Sequence, residues 1–224
     1  MKIRLDLKIF ILIVLFYFTR QIQIYSLLMI FALLHEIGHM IAGLALGFKP
    51  STMSIMPVGV SIDFNINTYE YNKKIKNGNR LNLKKMIIAI AGPITNLIII
   101  VLSVIFKTKH SEVIIYANLI LAIFNLIPIY PLDGGRVIKN ILSILFGKYK
   151  AMKYTNTVSN ILICILTMVS SIFVLQYKNV FILLILAYLW YLVLMQNKRS
   201  NMQLKLIESL SNIKEMEIKN IANV

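Results

Sequence analysis

Three neighbouring side chains carry the clearest chemical signal in the sequence. His35, Glu36 and His39 form the run His-Glu-Ile-Gly-His. On an α-helix, residues four apart lie one turn from each other on the same face, so both imidazoles can bind one metal ion. Glu36 is rotated by about 100° from His35, so it can stay off the metal and take a proton from a water molecule at the site. Imidazole ligands with an open position are typical of catalytic zinc, and we predict one zinc ion per chain.

The surroundings of this motif make a chance match improbable. His35, Glu36 and His39 are the only ionisable Asp, Glu, Lys, Arg or His side chains in the second to sixth apolar segments of the chain. A charged group near the bilayer centre costs about 2.5–3.5 kcal/mol, so three such groups within five positions need compensation. A pair of histidines that only pack against helix carbonyls is the alternative, and this cluster makes it the weaker one.

A catalytic zinc ion usually has three protein ligands, so a third must come from elsewhere in the chain. The candidates outside the motif and the C-terminal tail are Asp6, Asp63, Glu70, His110, Glu112 and Asp133. Asp133 is predicted to end the fourth span, after Pro128 and Pro131, which should unwind the end of that helix. An ordinary turn is the alternative for this Asp-Gly-Gly sequence. Beside an incomplete zinc site, we predict that Asp133 is the third ligand.

The composition shows what kind of protein holds these residues. Of the 224 residues 58% are apolar and 15% are charged, whereas soluble domains have about 25% charged residues. The apolar residues lie in six blocks, which predict six transmembrane helices: Leu5–Phe18, Ser26–Phe48, Met86–Phe106, Val113–Tyr130, Thr157–Leu175 and Val180–Met195. The predicted fold class is an all-α integral membrane protein, which excludes a soluble enzyme.

The basic residues predict the orientation of these helices. With the N-terminus inside, 20 of the 24 Lys and Arg residues fall on the cytoplasmic side and 4 on the other side. Cytoplasmic loops collect basic residues, so we expect a multi-pass protein of the cell membrane with both termini in the cytoplasm. The net charge of +15 then needs no nucleic-acid partner. The first segment has the length of a signal peptide, but no small-x-small cleavage site follows, so we expect a retained anchor.

Two further features concern the parts around the helices. Residues 51–64 alternate between apolar and polar side chains, which predicts a short membrane-associated β-hairpin after the second helix.

Residues 1–197 are predicted to form the six-span domain and 198–224 a cytoplasmic tail, either a short helix or disordered. The small-residue pairs Gly38/Ala42 and Gly43/Gly47 should allow close helix packing, and we expect the fourth span as the neighbour.

The motifs together resemble those of the site-2 protease family of intramembrane zinc metalloproteases. His-Glu-x-x-His is followed by Ala91-Gly-Pro-x-x-Asn96, and then by Asn-x-x-Pro-x-x-Pro-Leu-Asp-Gly-Gly over Asn125–Gly135. The motifs extend over residues 31–136, and the six-span layout is similar as well. The compact chain is most similar to the branch that includes stage IV sporulation protein FB. About 29 residues follow the last predicted span, too few for the nucleotide-sensing CBS domain of that branch, so regulation by nucleotide in cis is not expected.

The resemblance implies a role for each matching residue. His35, His39 and Asp133 correspond to the zinc ligands and Glu36 to the general base. Asn125 corresponds to an asparagine that faces the site and holds the substrate or the oxyanion. The hairpin would present an edge to a substrate strand.

The implied function is zinc-dependent cleavage of a membrane-tethered protein. The substrate suggested by the sporulation branch is a sigma-factor precursor, and anti-sigma factors or signal-peptide remnants are the alternatives. The resemblance also implies inhibitory membrane-protein partners. A non-catalytic scaffold or a transporter would be different functions, but the presence of Glu36 and the confinement of ionisable residues to one span and one span end argue against them.

Overall fold

The computed structural model describes residues 2–18, 20, 22–56, 59–65, 75–177 and 181–222. In chain order the elements are β1 (Lys2–Leu5), α1 (Lys8–Phe18), α2 (Ile22–Ala45), β2 (Lys49–Met56), β3 (Gly59–Asn65), α3 (Ile75–Phe106), α4 (Ser111–Leu126), α5 (Asp133–Tyr177) and α6 (Phe181–Ala222). The chain divides into two compact units. The first comprises Met1–Ile127 and Leu132–Val137, and the second comprises Pro128–Pro131 and Ile138–Val224.

The helices agree with the predicted apolar segments, each of which overlaps one helix. Within the described residues, three helical stretches are long and apolar enough to cross a membrane: Ile22–Ala45, Gly78–Phe106 and Asp133–Ile172. The apolar helix α4 is shorter, at 16 residues. The mainly helical fold with membrane-length helices is therefore confirmed, whereas the number of six spans stays a prediction.

Helix α2 packs closely against α3. A Cβ atom on Gly38 would overlap the side chain of Thr95 and lie 3.1 Å from the carbonyl oxygen of Ala91, both in α3. One turn later, a Cβ on Gly43 would overlap the ring of Phe64 in β3. The small residues of α2 therefore allow close packing as predicted. The neighbour at Gly38 is the third helix, however, and not the fourth.

The predicted hairpin is confirmed as strands β2 and β3, which pair antiparallel with Met53 opposite Ile62. An irregularity between Pro50 and Thr52 interrupts the register, as expected for a proline that cannot donate a ladder hydrogen bond. Strand β1 adds to β2 in parallel, so the sheet order is β1-β2-β3. This third strand was not predicted, because residues 2–5 have only the basic flank of the first apolar segment as a sequence signal.

The fourth and fifth helices are separated by a break at the two prolines. Helix α4 ends at Leu126, and Ile127 adopts an extended backbone with ψ of 131° before Pro128. Asp133 then begins α5. The prediction that Asp133 ends the fourth span is therefore wrong, because the chain leaves the helix at Leu126, before the two prolines. A Cβ on Gly134 would overlap the carbonyl group of Leu126. Glycine at this position thus lets the start of α5 lie directly against the end of α4.

In the second unit, α5 and α6 run antiparallel. Gly147, with φ of 81°, interrupts α5, a conformation that glycine adopts without strain. Beyond it, Asn197 donates a hydrogen bond to Asn160 at 2.6 Å, and Tyr149 donates one to Glu208. The predicted domain boundary at residue 197 falls inside α6, which continues as a helix to Ala222. The division into a membrane domain and a tail stays a prediction.

Candidate active site

The structure brings His35, His39 and Asp133 together, although 94 residues separate His39 from Asp133 in the chain. The Oδ2 atom of Asp133 lies 2.9 Å from Nε2 of His35 and 3.1 Å from Nε2 of His39. The two Nε2 atoms are 3.2 Å apart. All three side chains are buried, with exposed fractions of 3%, 3% and 4%. Three donor atoms thus converge on one point inside the protein.

The spacing of these atoms fits a zinc ion. Ligands about 2.0–2.2 Å from a tetrahedral zinc ion lie roughly 3.3 Å from one another. The three observed separations are close to this value, and the donors are two imidazole nitrogens and one carboxylate oxygen, which zinc commonly accepts. His35, His39 and Asp133 therefore form a potential zinc-binding site.

The other nitrogen of each ring has a partner that suits metal binding. Nδ1 of His39 lies 2.6 Å from the carbonyl oxygen of Ile88, which can only accept a hydrogen bond, and 3.2 Å from the backbone N–H of Gly92. The much shorter contact with the carbonyl favours a proton on Nδ1, which leaves Nε2 free for a metal. Nδ1 of His35 lies 3.0 Å from the side-chain amide of fully buried Asn96. In the described structure, Oδ1 of Asn96 has no hydrogen-bond partner. A 180° rotation of the side-chain amide exchanges the positions of Oδ1 and Nδ2. When Oδ1 points towards His35, it accepts a hydrogen bond from the Nδ1–H group, and Nε2 of His35 is again free for a metal.

Gly92 leaves room for the two imidazoles against α3. A Cβ atom at this position would overlap Nε2 of His35 and both Cε1 and Nε2 of His39. Only a residue without a side chain allows the rings to lie so close to the α3 backbone. Contacts with the histidines thus explain two positions of the Ala-Gly-Pro-x-x-Asn motif. Gly92 makes room for the two rings, and Asn96 contacts a ring nitrogen of His35.

Glu36 and Arg136 complete the charged groups around the three donors. Glu36 is half-buried and interacts electrostatically with both histidines, Asp133 and Arg136. One guanidinium nitrogen of Arg136 lies 3.6 Å from Oδ1 of Asp133, the carboxylate oxygen that does not face the histidines. A carboxylate is therefore available beside the site, and a cation offsets part of the local negative charge.

The remaining predicted and rejected candidates lie elsewhere. The half-buried Asn125 donates through Nδ2 to the carbonyl oxygen of Leu121 in its own helix, at 3.1 Å, so its catalytic role stays a prediction. Asp63 is exposed and accepts a hydrogen bond from Thr52, while His110 and Glu112 are exposed at the start of α4. None of these three belongs to the donor cluster. Glu70 lies outside the described residues.

Sequence reasoning missed the role of Asn96. Asn96 lies in the Ala-Gly-Pro-x-x-Asn motif, but a single asparagine in an apolar helix does not indicate what it contacts. Full burial of a polar side chain would have been the useful clue, because such groups are nearly always hydrogen-bonded.

We predict that Asn96→Leu weakens zinc binding by about 10–100-fold, the usual effect of losing a hydrogen-bond partner of a metal-bound histidine. The measurement is competition for zinc between the purified full chain and a chromophoric chelator. Asn118→Leu is the matched control, since Asn118 is equally buried but bonds to Ile114 of its own helix. Equal losses in both variants would show that Asn96 acts only through packing.

Comparison with known proteins supports this assignment of the site. The chain is 28% identical over 177 residues to a zinc metalloprotease of Methanocaldococcus jannaschii, a match that covers 75% of this chain and 47% of that protein. It is 27% identical over 128 residues to stage IV sporulation protein FB of Bacillus subtilis, covering 54% of this chain and 39% of that protein. Residues 108–169, which include Asp133, match the sequence profile of Peptidase family M50.

A solved structure shows the same fold. The site-2 protease from Methanocaldococcus jannaschii superimposes with a TM-score of 0.66 at 23% identity, over 87% of this chain and 90% of that one. The chain therefore has the site-2 protease fold. It spans about half the length, or less, of the curated relatives that it matches. The site-2 protease fold accounts for the helices that carry the three donors.

Proposed function

We propose that this chain belongs to the site-2 proteases and is an intramembrane zinc-dependent endopeptidase, which hydrolyses a peptide bond of a membrane-associated protein in or near the bilayer. The proposal depends on one observation: donor atoms of His35, His39 and Asp133 lie at the distances expected of zinc ligands. Glu36 lies beside them, on the membrane-length helix that carries the two histidines. The name of the Methanocaldococcus relative supports the same chemistry.

Each residue has a defined task in this proposal. His35, His39 and Asp133 hold the metal, and Asn96 and the Ile88 carbonyl fix the ring protons away from it. A zinc ion held there supplies Lewis acidity, which polarises the substrate carbonyl and makes water acidic enough to attack near neutral pH. Glu36 takes the proton from the attacking water and passes it to the leaving amine.

We also propose that Asn125 holds the substrate or the developing oxyanion. Asn125 precedes Asp133 by eight residues, at the end of α4, where the helix opens at Pro128. Its Nδ2 group now donates to its own helix, so the side chain would have to rotate to donate to a substrate. An amide donor aimed at the oxyanion would stabilise the charge that forms in the transition state.

The sheet offers a way to hold an unwound substrate. A helical substrate keeps its scissile carbonyl bonded within its own chain, so it must open locally before water can attack. Strand β3 is an edge strand of the three described strands, and an edge presents backbone groups that can pair with an added strand. We propose that the opened substrate segment pairs there.

The proposed setting is a multi-pass protein of the cell membrane with both termini in the cytoplasm. The 20-to-4 distribution of basic residues supports it, and the apolar helices are long enough for it. In this orientation α2 runs towards the cytoplasm, so the metal site lies in the cytoplasmic half of the bilayer.

The substrate is proposed to be a membrane-tethered protein. Similarity to stage IV sporulation protein FB favours a sporulation sigma-factor precursor, with anti-sigma factors and signal-peptide remnants as the alternatives. Membrane-protein partners that inhibit cleavage are part of the same proposal.

Removal of zinc tests the proposed reaction. The purified full chain, mixed with detergent-solubilised membranes of the cells that produced it, should create new peptide termini that mass spectrometry detects. We expect 1,10-phenanthroline to abolish them and added Zn²⁺ to restore them, because three side chains without a Lewis acid cannot activate water at neutral pH. Termini that persist at full yield in the chelator would contradict the proposal.

A further inference from the structure

A polar groove lies between the part of α5 after Gly147 and α6, in the second unit of the chain. Its volume is about 240 Å³, and its polar lining comprises Lys153, Thr157, Asn156, Asn160, Asn197 and Asn201. Four asparagines and a lysine thus line one groove between two helices. Nothing in the proposed protease chemistry uses them.

The antiparallel register of the two helices builds the groove. Asn160 is bonded to Asn197 at one end, and Tyr149 to Glu208 at the other, three turns away along each helix. Asn156 and Asn201 lie between these two bonds, one turn from the asparagine pair, on facing helices. Asn156 and Asn201 therefore line the same opening as Lys153.

The charge around the groove favours an anion. The sequence has no Asp or Glu between Asp133 and Glu208. The nearest carboxylate along either helix is that of Glu208, which accepts the hydrogen bond from Tyr149. The exposed basic residues on these helical segments are Lys148, Lys150, Lys153, Lys198, Arg199 and Lys205. A bound anion would thus meet a positive field and hydrogen-bond donors.

The groove also lies where an apolar surface ends. Beyond it, α5 exposes Ile161, Ile165 and Met168, and α6 exposes Leu194 on the side of the Asn160–Asn197 bond. The stretch Asp133–Ile172 of α5 is long and apolar enough to cross a membrane, so its exposed apolar side chains face lipid tails and the polar groove residues next to them are at the level of the lipid headgroups. The anion with the highest local concentration at that level is the phosphate of a phospholipid.

We propose that this groove is a binding site for a phosphate group, supplied either by an anionic phospholipid headgroup or by free phosphate. Lys153 supplies the positive charge, and the amide N–H groups of Asn156 and Asn201 donate to the phosphate oxygens. The site depends on the packing of α5 against α6 and is independent of the proposed proteolysis.

The test is native mass spectrometry of the purified full chain in detergent, titrated separately with phosphatidylglycerol, phosphatidylcholine and inorganic phosphate. We expect one phosphatidylglycerol per chain to bind more tightly than phosphatidylcholine. Lys153→Gln should weaken this binding about fivefold, the effect of one lysine on an anionic headgroup. Lys150→Gln removes the same charge from the same helix outside the groove lining and should change binding less than twofold.

The remaining titrations and variants distinguish a lipid headgroup from free phosphate and test the role of the asparagines. Inorganic phosphate that competes with the lipid would assign the site to free phosphate, and lack of competition would assign it to the headgroup. Asn156→Leu combined with Asn201→Leu should weaken binding further, with unchanged zinc content as the check on folding. Equal losses in Lys153→Gln and Lys150→Gln, or equal binding of phosphatidylcholine, would overturn the proposal.

Discussion

Replacing Glu36 by glutamine should lower peptide-bond cleavage by about 10²–10⁴-fold and leave zinc binding almost unchanged. Glutamine has nearly the same shape, but its amide cannot accept a proton from water at neutral pH. Glu36 is not part of the donor cluster, so the metal site keeps its three ligands. The expected result is therefore a protein with normal zinc content and no proteolytic activity.

The measurement combines two readouts on one preparation. Zinc content is determined by atomic emission, and cleavage by counting new peptide termini in membranes of cells that carry the normal or the variant chain. Glu112→Gln is the matched control, because Glu112 is an exposed carboxylate at the start of α4. Termini that disappear with Glu36→Gln but not with Glu112→Gln would also identify the substrate. Full cleavage by Glu36→Gln would exclude Glu36 as the general base.

Replacing Asp133 by asparagine should weaken zinc binding by at least about 100-fold and abolish cleavage with it. The loss of a ligand should exceed the loss of about 10–100-fold that is expected when a ligand loses its hydrogen-bond partner. Asparagine keeps the size of the side chain but removes the negative charge that lies within 3.1 Å of both Nε2 atoms. A neutral amide oxygen is a much poorer partner for a divalent cation than a carboxylate.

This prediction separates a ligand from a packing residue. Asp63→Asn is the matched control, since Asp63 is an exposed carboxylate bonded to Thr52 in the hairpin. We expect the zinc affinity of this control to equal that of the normal chain, as measured by chelator competition. If Asp133→Asn retained normal zinc affinity and a normal thermal unfolding midpoint, the carboxylate could not be a ligand.

The histidines of the site could be predicted from local sequence because their spacing matches the helical repeat. His35 and His39 must share a face of any helix that contains them, so no knowledge of the fold was needed. The hairpin was predictable for a similar reason, since the alternation at residues 51–64 matches the two-residue period of a strand. In both cases the sequence pattern and the structure that it predicts involve only residues close together in the chain.

The remaining parts of the site depend on contacts between distant segments. Asn96 meets His35 across 61 residues, and the Ile88 carbonyl meets His39 across 49. A backbone carbonyl has no side-chain signature, so sequence patterns cannot indicate it. Asp133 was predicted by elimination among few acidic residues, but its position at the start of α5 depends on the contact of Gly134 with Leu126.

The proposed proteolysis depends on one zinc ion bound by His35, His39 and Asp133. The most direct measurement is X-ray absorption at the zinc edge on the purified full chain, with Asp133→Asn alongside. We predict one zinc per chain, surrounded by two imidazole nitrogens and oxygen at about 2.0–2.2 Å, and a changed or empty shell in the variant. A spectrum without imidazole scattering, or one identical in the normal chain and the Asp133 variant, would contradict the account.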